Sequence, residues 1–236
     1  MKRRQLKHHV VALLQRETLA AVHKRLSACD QKSLINPLIS CLCHTDEKVR
    51  WHSVSVLGPV INTIAAQEFE SARLVMRRFL WMLNDESGGI GWGVPEALSE
   101  AMYHNDRLAA EYMHMLVSYA RSDGPELFQD GNFIELPLLQ RGVLWGLCRL
   151  AEKYREQLVK KEAHENIGFY LSSEDAQVRG TASLLCGMLG RHEFTSFLQP
   201  LSEESETVRI YRNGQMENSS VGRLASAALS ALKGRR

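Results

Sequence analysis

Five stretches of the chain repeat one apolar spacing, and this recurrence restricts the fold more than any other feature. Val49, Ser53, Val56, Leu57 and Val60 fall at i, i+4, i+7, i+8 and i+11. The same spacing returns at Val178, Ala182, Leu185, Cys186 and Leu189, and again at Val221, Ala225, Ala228, Leu229 and Leu232. Weaker copies begin at Val94 (Leu98, Ala101, Met102, Asn105) and at Gln140 (Leu144, Leu147, Cys148, Ala151). Such a stripe covers one face of an α-helix. Successive starts lie 45, 46, 38 and 43 residues apart, the period of a two-helix repeat.

The 236 residues suffice for about five stacked helix pairs, read as one repeat domain without an internal linker. The apolar runs are too short to span a bilayer, and the apolar stretch behind the basic N-terminus is too short for a signal peptide. Five cysteines, two of them on the stripe at Cys148 and Cys186, fit reduced thiols in a cytoplasmic protein. Charge is distributed unevenly. Residues 1–25 hold seven Lys or Arg against Glu17, and residues 206–236 carry a net charge of +4. Residues 85–135 carry a net charge of −8. An acidic middle argues against nucleic acid held along the whole length.

The pattern predicts an N-terminal helix over 4–27. First helices of the pairs follow at Ser33–Cys43, Phe69–Leu83, Asp106–Ala120, Arg155–Leu171 and Glu193–Leu201. Asp46 and Asp175 stand where N-caps of stripe helices belong. Residues 121–136, with Gly-Pro and Asp-Gly turn signals, read as a folded surface loop insertion. Across 207–220, Val208 and Ile210 alternate with polar residues ahead of Asn213-Gly214, a preferred two-residue turn. This predicts a β-hairpin inserted in the last repeat, expected to cover the exposed end of the array.

The segments DEKVRWHSVSVLG and DAQVRGTASLLCGMLG resemble HEAT repeats, of the short variety named for phycobilisome lyases. Asp46, Val49 and Arg50 match the Asp-x-x-Val-Arg opening in the first, and Asp175, Val178 and Arg179 match it in the second. The resemblance implies an all-α fold: a right-handed α-solenoid of about five HEAT-like helix pairs whose second helices line a concave face. It also implies that these Asp and Arg residues tie adjacent repeats together. The whole chain is similar to small bacterial HEAT-repeat proteins.

The second pair departs most from the pattern. In place of Asp-x-x-Val-Arg stand Asn84, Asp85, Glu86 and Ser87, then three glycines among Gly88–Gly91, then Trp92 and Gly93. Pro95 suits the first turn of the next helix, and Glu96 and Glu100 follow on it. Acids beside an indole suit a cation, whereas a structural reading makes this a tight loop with Trp92 wedged between repeats. The segment follows a helix and lacks a phosphate-loop lysine, so it is no nucleotide-binding loop. On the third stripe helix Arg141, Trp145 and Arg149 form one row, facing the row of Pro95, Ser99 and Tyr103. A groove of Asn84, Asp85, Glu86, Trp92, Glu96, Glu100, Tyr103, Arg141, Trp145 and Arg149 is mixed in charge and aromatic, as peptide-binding surfaces are. Alternatively, Trp145 fills space between helices.

Metal signatures are weak. His164-Glu165 and His192-Glu193 resemble the His-Glu pairs of di-iron deoxyhypusine hydroxylases, but that family uses four copies at the starts of stripe helices. Cys41, Cys43 and His44 diverge on a helix, and no nucleophile elbow appears. The expectation is a non-enzymatic scaffold that binds a protein or peptide, with no cofactor, metal or membrane span. The alternative is a HEAT-like alkylbase DNA glycosylase, for which Trp81, Asp85 and Trp92 supply residue types without a family motif.

Overall fold

The computed structural model describes residues 3–84, 91–124 and 131–234. Among them are twelve α-helices and one two-stranded antiparallel sheet. In order they are α1 Arg3–Arg16, α2 Leu19–Leu26, α3 Gln31–Ile39, α4 Glu47–Gln67, α5 Phe69–Asn84, α6 Val94–His104, α7 Asp106–Ser118, α8 Pro137–Lys160, α9 Ile167–Leu171, α10 Ala176–Leu189 and α11 Thr195–Leu201. Strands β1 Thr207–Arg212 and β2 Gln215–Ser220 precede α12 Val221–Lys233. The stripe helices are α4, α6, α8, α10 and α12. Apart from the half-buried Asn105 and Leu229, every stripe position is buried. The apolar period therefore reported the core.

The chain divides into two compact units, 1–112 and 113–236, with the boundary inside α7. In the first unit α4 packs against α3, α5 and α6, and α1 against α3 and α4. Leu14, Leu38, Leu57, Ile61, Phe79 and Leu98 fill this core. Asp46 caps α4 by accepting a bond from the Lys48 N–H at 2.9 Å, and Ser53 ties that helix to α3 by donating to the Leu38 carbonyl at 2.7 Å. The expected single helix over 4–27 is two helices. Thr18 interrupts it, its extended backbone and hydroxyl capping α2 through the Ala21 N–H.

In the second unit α10 packs between α8 and α12, and α9 also lies against it. Close approach is possible because α10 carries glycines at contact positions. A Cβ on Gly187 would lie 2.8 Å from the Ala228 Cα of α12, and one on Gly180 would lie 2.7 Å from Val208 Cγ2 of β1. Asp175 caps α10 through the Val178 N–H. The expected helix Arg155–Leu171 is corrected. Its first part continues α8 past a kink at Tyr154 (φ −121°, ψ 32°), turns occupy 161–166, and only Ile167–Leu171 forms α9. Of the predicted loop insertion 121–136, residues 125–130 lie outside the described residues. The Ile134 N–H returns to the Tyr119 carbonyl, closing the rest onto the end of α7.

The hairpin occupies its predicted span, with Thr207 opposite Ser220 and Arg212 opposite Gln215. Asn213 (φ 51°) and Gly214 (φ 80°) make the turn, as a primed turn requires. Its position differs from the expected end cover: β1 lies on α10 and reaches Trp145 of α8.

Candidate functional surfaces

Residues that open α8 and α10 connect neighbouring elements. Arg141 of α8 holds Asp175 at the start of α10 through two nitrogens, at 3.0 Å from Nε and 2.5 Å from Nη2 to Oδ2. That guanidinium and the capping N–H hold the Asp175 carboxyl below its usual range against the opposing effect of burial, which is the largest influence on it. Arg179, nearly buried, donates to the Ser173 carbonyl at 2.7 Å and to Glu204 at 3.1 and 2.7 Å. It also pairs with Glu206 just before β1. Asp175 and Arg179 therefore act structurally, holding repeats and the hairpin base together.

The hairpin is held by side chains that recognise strand backbone. The Gln177 amide both donates to the Arg209 carbonyl at 2.8 Å and accepts from the Arg209 N–H at 2.9 Å. Trp145 Nε1 donates to the Tyr211 carbonyl at 3.0 Å, and the two rings lie 6.4 Å apart. Trp145 is consequently only 9% exposed. It fills space between helix and hairpin and does not wall an open groove. Arg149 is half-buried and pairs with Glu152 at 2.5 Å. All three residues of the Arg141–Trp145–Arg149 row are thus engaged within the second unit.

Candidates in the first unit divide differently. Asp85 and Glu86 lie outside the described residues. Asn84 is exposed at the end of α5, and Trp92 is 40% exposed just before α6. Trp81, on the last turns of α5, is 67% exposed. Gly93 caps α6 in the left-handed region (φ 73°), and a Cβ there would lie 3.0 Å from the Leu42 carbonyl, so glycine is required on both counts. Glu96 on the first turn is half-buried. Its Oε2 is enclosed without a hydrogen-bond partner among the described residues. Burial pushes its carboxyl up to about 7, opposed by its own backbone N–H and by the charge of Arg50.

Glu100 and Tyr103 lie deeper. Glu100 is buried and faces His104 Nε2 at 3.3 Å, while Tyr103 is half-buried, edge-on to the His104 ring at 5.5 Å. A Cβ on Gly58 of α4 would lie 2.5 Å from the His104 ring. These residues therefore belong to the α4–α6 packing. His23, whose imidazole burial holds below its usual range, contributes to the same electrostatic cluster.

Cys41, Cys148 and Cys186 are buried free thiols and Cys43 is exposed. Among the described residues no group of three or more His, Cys, Asp or Glu is arranged to hold a metal. No described helix is long and apolar enough to cross a membrane.

No family model and no curated protein sequence matches the chain. Solved structures do match. An engineered protein aligns over 98% of this chain and 97% of its own at 13% identity and a TM-score of 0.53. A second engineered protein covers 96% of this chain and 53% of its own, at 14% identity and a TM-score of 0.56. A designed armadillo repeat protein covers 98% and 92%, at 14% identity and a TM-score of 0.51. At such identities the likeness concerns the fold, and the fold is that of a helical repeat protein.

Proposed function

We propose that the protein is a HEAT-like repeat scaffold of the cytoplasm that acts by binding a protein or peptide, through the surface where α5 gives way to α6. The observation that carries this reading is the pair of exposed tryptophans, Trp81 and Trp92, on either side of that connection. Tryptophan is usually mostly buried, and at interfaces it supplies a disproportionate share of binding energy. Asn84 adds a polar contact beside them, and Glu96 supplies a carboxyl whose charge changes near neutral pH. The segment is also where the repeat's Asp-x-x-Val-Arg opening lapses, and local rules lapse most often where a site is needed.

Photocross-linking tests the reading. A benzoylphenylalanine placed at 81 or at 92 is expected to capture the same partner chain in cells, while the exposed control position Ser226 does not. Trp81→Ala with Trp92→Ala should then abolish co-purification of that partner at unchanged helicity. Capture at 81 and 92 no greater than at 226 would refute the assignment.

A further inference from the structure

The second unit exposes an apolar pocket rimmed by exposed acids, at the point where the N-termini of α8 and α10 meet. It measures about 600 Å³ and is lined by Glu135, Pro137, Gln140, Phe169, Ser173 and Glu174 among others. Phe169, 52% exposed, stands edge-on to Phe133 at 5.8 Å. Leu136 and Leu138 flank Pro137, and Leu136 is 49% exposed. This entry to α8 breaks an ordinary rule. The N-cap position holds Leu136, which makes no side-chain cap, where Ser, Thr, Asp or Asn would satisfy an amide. Three successive exposed apolar residues at a helix start lower stability and solubility unless something covers them.

The charge on the rim indicates what covers them. Glu135 and Glu174 are exposed, and among the described residues neither carboxylate takes part in an ion pair or hydrogen bond. Asp175, their neighbour, is neutralised by Arg141. An apolar floor between two unneutralised carboxylates repels phosphate and acidic peptides, and it complements an apolar side chain flanked by cations. The exposed aromatic ring of Phe169 attracts such a cation as well.

We propose that this pocket docks a basic segment of a partner protein, which seats one apolar side chain against Phe169 and sets Lys or Arg beside Glu135 and Glu174. The proposal goes beyond the reading above: it concerns other residues, in the other unit, and names the partner's chemistry. Its failure would leave the Trp81 and Trp92 surface standing, and failure of that surface would leave this pocket standing.

The test uses the full chain and rhodamine-labelled heptapeptides, read by fluorescence anisotropy. The probe is Gly-Lys-Arg-Phe-Arg-Lys-Gly with blocked ends. Its controls are the same peptide with Ala for Phe, and with Glu and Asp for the cations. The basic aromatic peptide is expected to bind, and the acidic one not to. Phe169→Ala, and Glu135→Lys with Glu174→Lys, should each weaken binding by roughly tenfold or more. Raising NaCl from about 0.05 to 0.5 M should weaken it as well. Glu135→Gln with Glu174→Gln, a milder pair, should give an intermediate loss at unchanged circular dichroism.

Four results would each overturn the proposal. They are no binding of the basic peptide at millimolar concentration, equal binding of the acidic peptide, binding indifferent to Phe169→Ala, and charge reversal that lowers Tm while binding stays the same. The last would mean that the acids serve the helix dipoles alone. Sedimentation of the unliganded chain distinguishes a further occupant. A dimer dissolved by Glu135→Lys with Glu174→Lys would identify the basic end of a second copy as the occupant and displace the partner segment.

Discussion

Gly187→Ala should destabilise the protein, although the same change within an ordinary helix stabilises it. Alanine is favoured over glycine in a helix interior by about 0.8–1 kcal/mol, so an unobstructed site gains that much. At position 187 the new methyl would sit 2.8 Å from Ala228 Cα and 3.0 Å from its Cβ. Comfortable carbon–carbon contact begins near ~3.5 Å, so α10 and α12 must separate by roughly 0.5–0.7 Å. The first obstacle is backbone, which no rotamer change removes. Separation on that scale forfeits about a quarter of the dispersion well for each contact along the seam. Overpacking costs typically reach about 3 kcal/mol.

Subtracting the propensity gain leaves a net loss of about 2 kcal/mol, which lowers Tm by roughly 4–8 °C for a chain of this size. Calorimetry of the transition that carries residues 113–236 measures it. Gly168→Ala is the internal control, because its Cβ would meet Phe194 at 3.5 Å and Phe197 at 3.6 Å, ordinary contact distances. It should be neutral or mildly stabilising. Ala228→Gly in the Gly187→Ala background removes one of the two obstructions and should recover about 1 kcal/mol relative to additivity. A Tm that rises in Gly187→Ala would refute the packing argument.

Three further outcomes follow from other sites. Glu96, raised to about 7 in the native state from an ordinary 4.5, keeps its proton longer in the folded than in the unfolded chain. Stability contributed by this group therefore falls as pH rises from about 4.5 to about 7. Glu96→Gln should be more stable than wild type at pH 8, by on the order of 2 kcal/mol, and lose that advantage near pH 4.5 in urea titrations at both values. Burial raises the thiols of Cys41 to about 11 and Cys186 to about 12, and Cys148 higher still. A chromogenic disulfide should therefore label the exposed Cys43 rapidly in the native protein and these three only on unfolding. Gln177→Ala removes both bonds to Arg209 and should speed hydrogen exchange of the Arg209 amide roughly fivefold or more, since a bond contributes about 1 kcal/mol.

What could be read from the sequence was local in character. The stripe positions of α4, α6, α8, α10 and α12 repeat at helical spacing, so their burial was legible. The hairpin was too, because alternation and Asn213-Gly214 are contained within fourteen residues. The division at Thr18 was present as a capping signal but was outweighed by the continuing apolar period. The kink at Tyr154 leaves no proline or glycine to mark it. The fate of Trp145 was beyond local reading, since its partner Tyr211 stands 66 residues away. Register correctly placed Arg141, Trp145 and Arg149 on one side of α8. It did not show that Asp175, the hairpin and Glu152 already engage that side. The pocket at α8 was not legible because Phe169 and the flanking Leu136 and Leu138 look like core residues until their exposure is known.

The grip of Gln177 and Trp145 on β1 also bears on how the chain is made. Synthesis proceeds from the N-terminus, so Trp145 and the Gly180 notch emerge long before the strand that covers them. Until Tyr211 has left the ribosome, an indole and an open apolar notch wait without their cover, and any chain that ends before Thr207 keeps them bare. A strand made late in synthesis thus completes a surface formed earlier, and prematurely terminated chains would be recognisable to quality control by the tryptophan they leave uncovered.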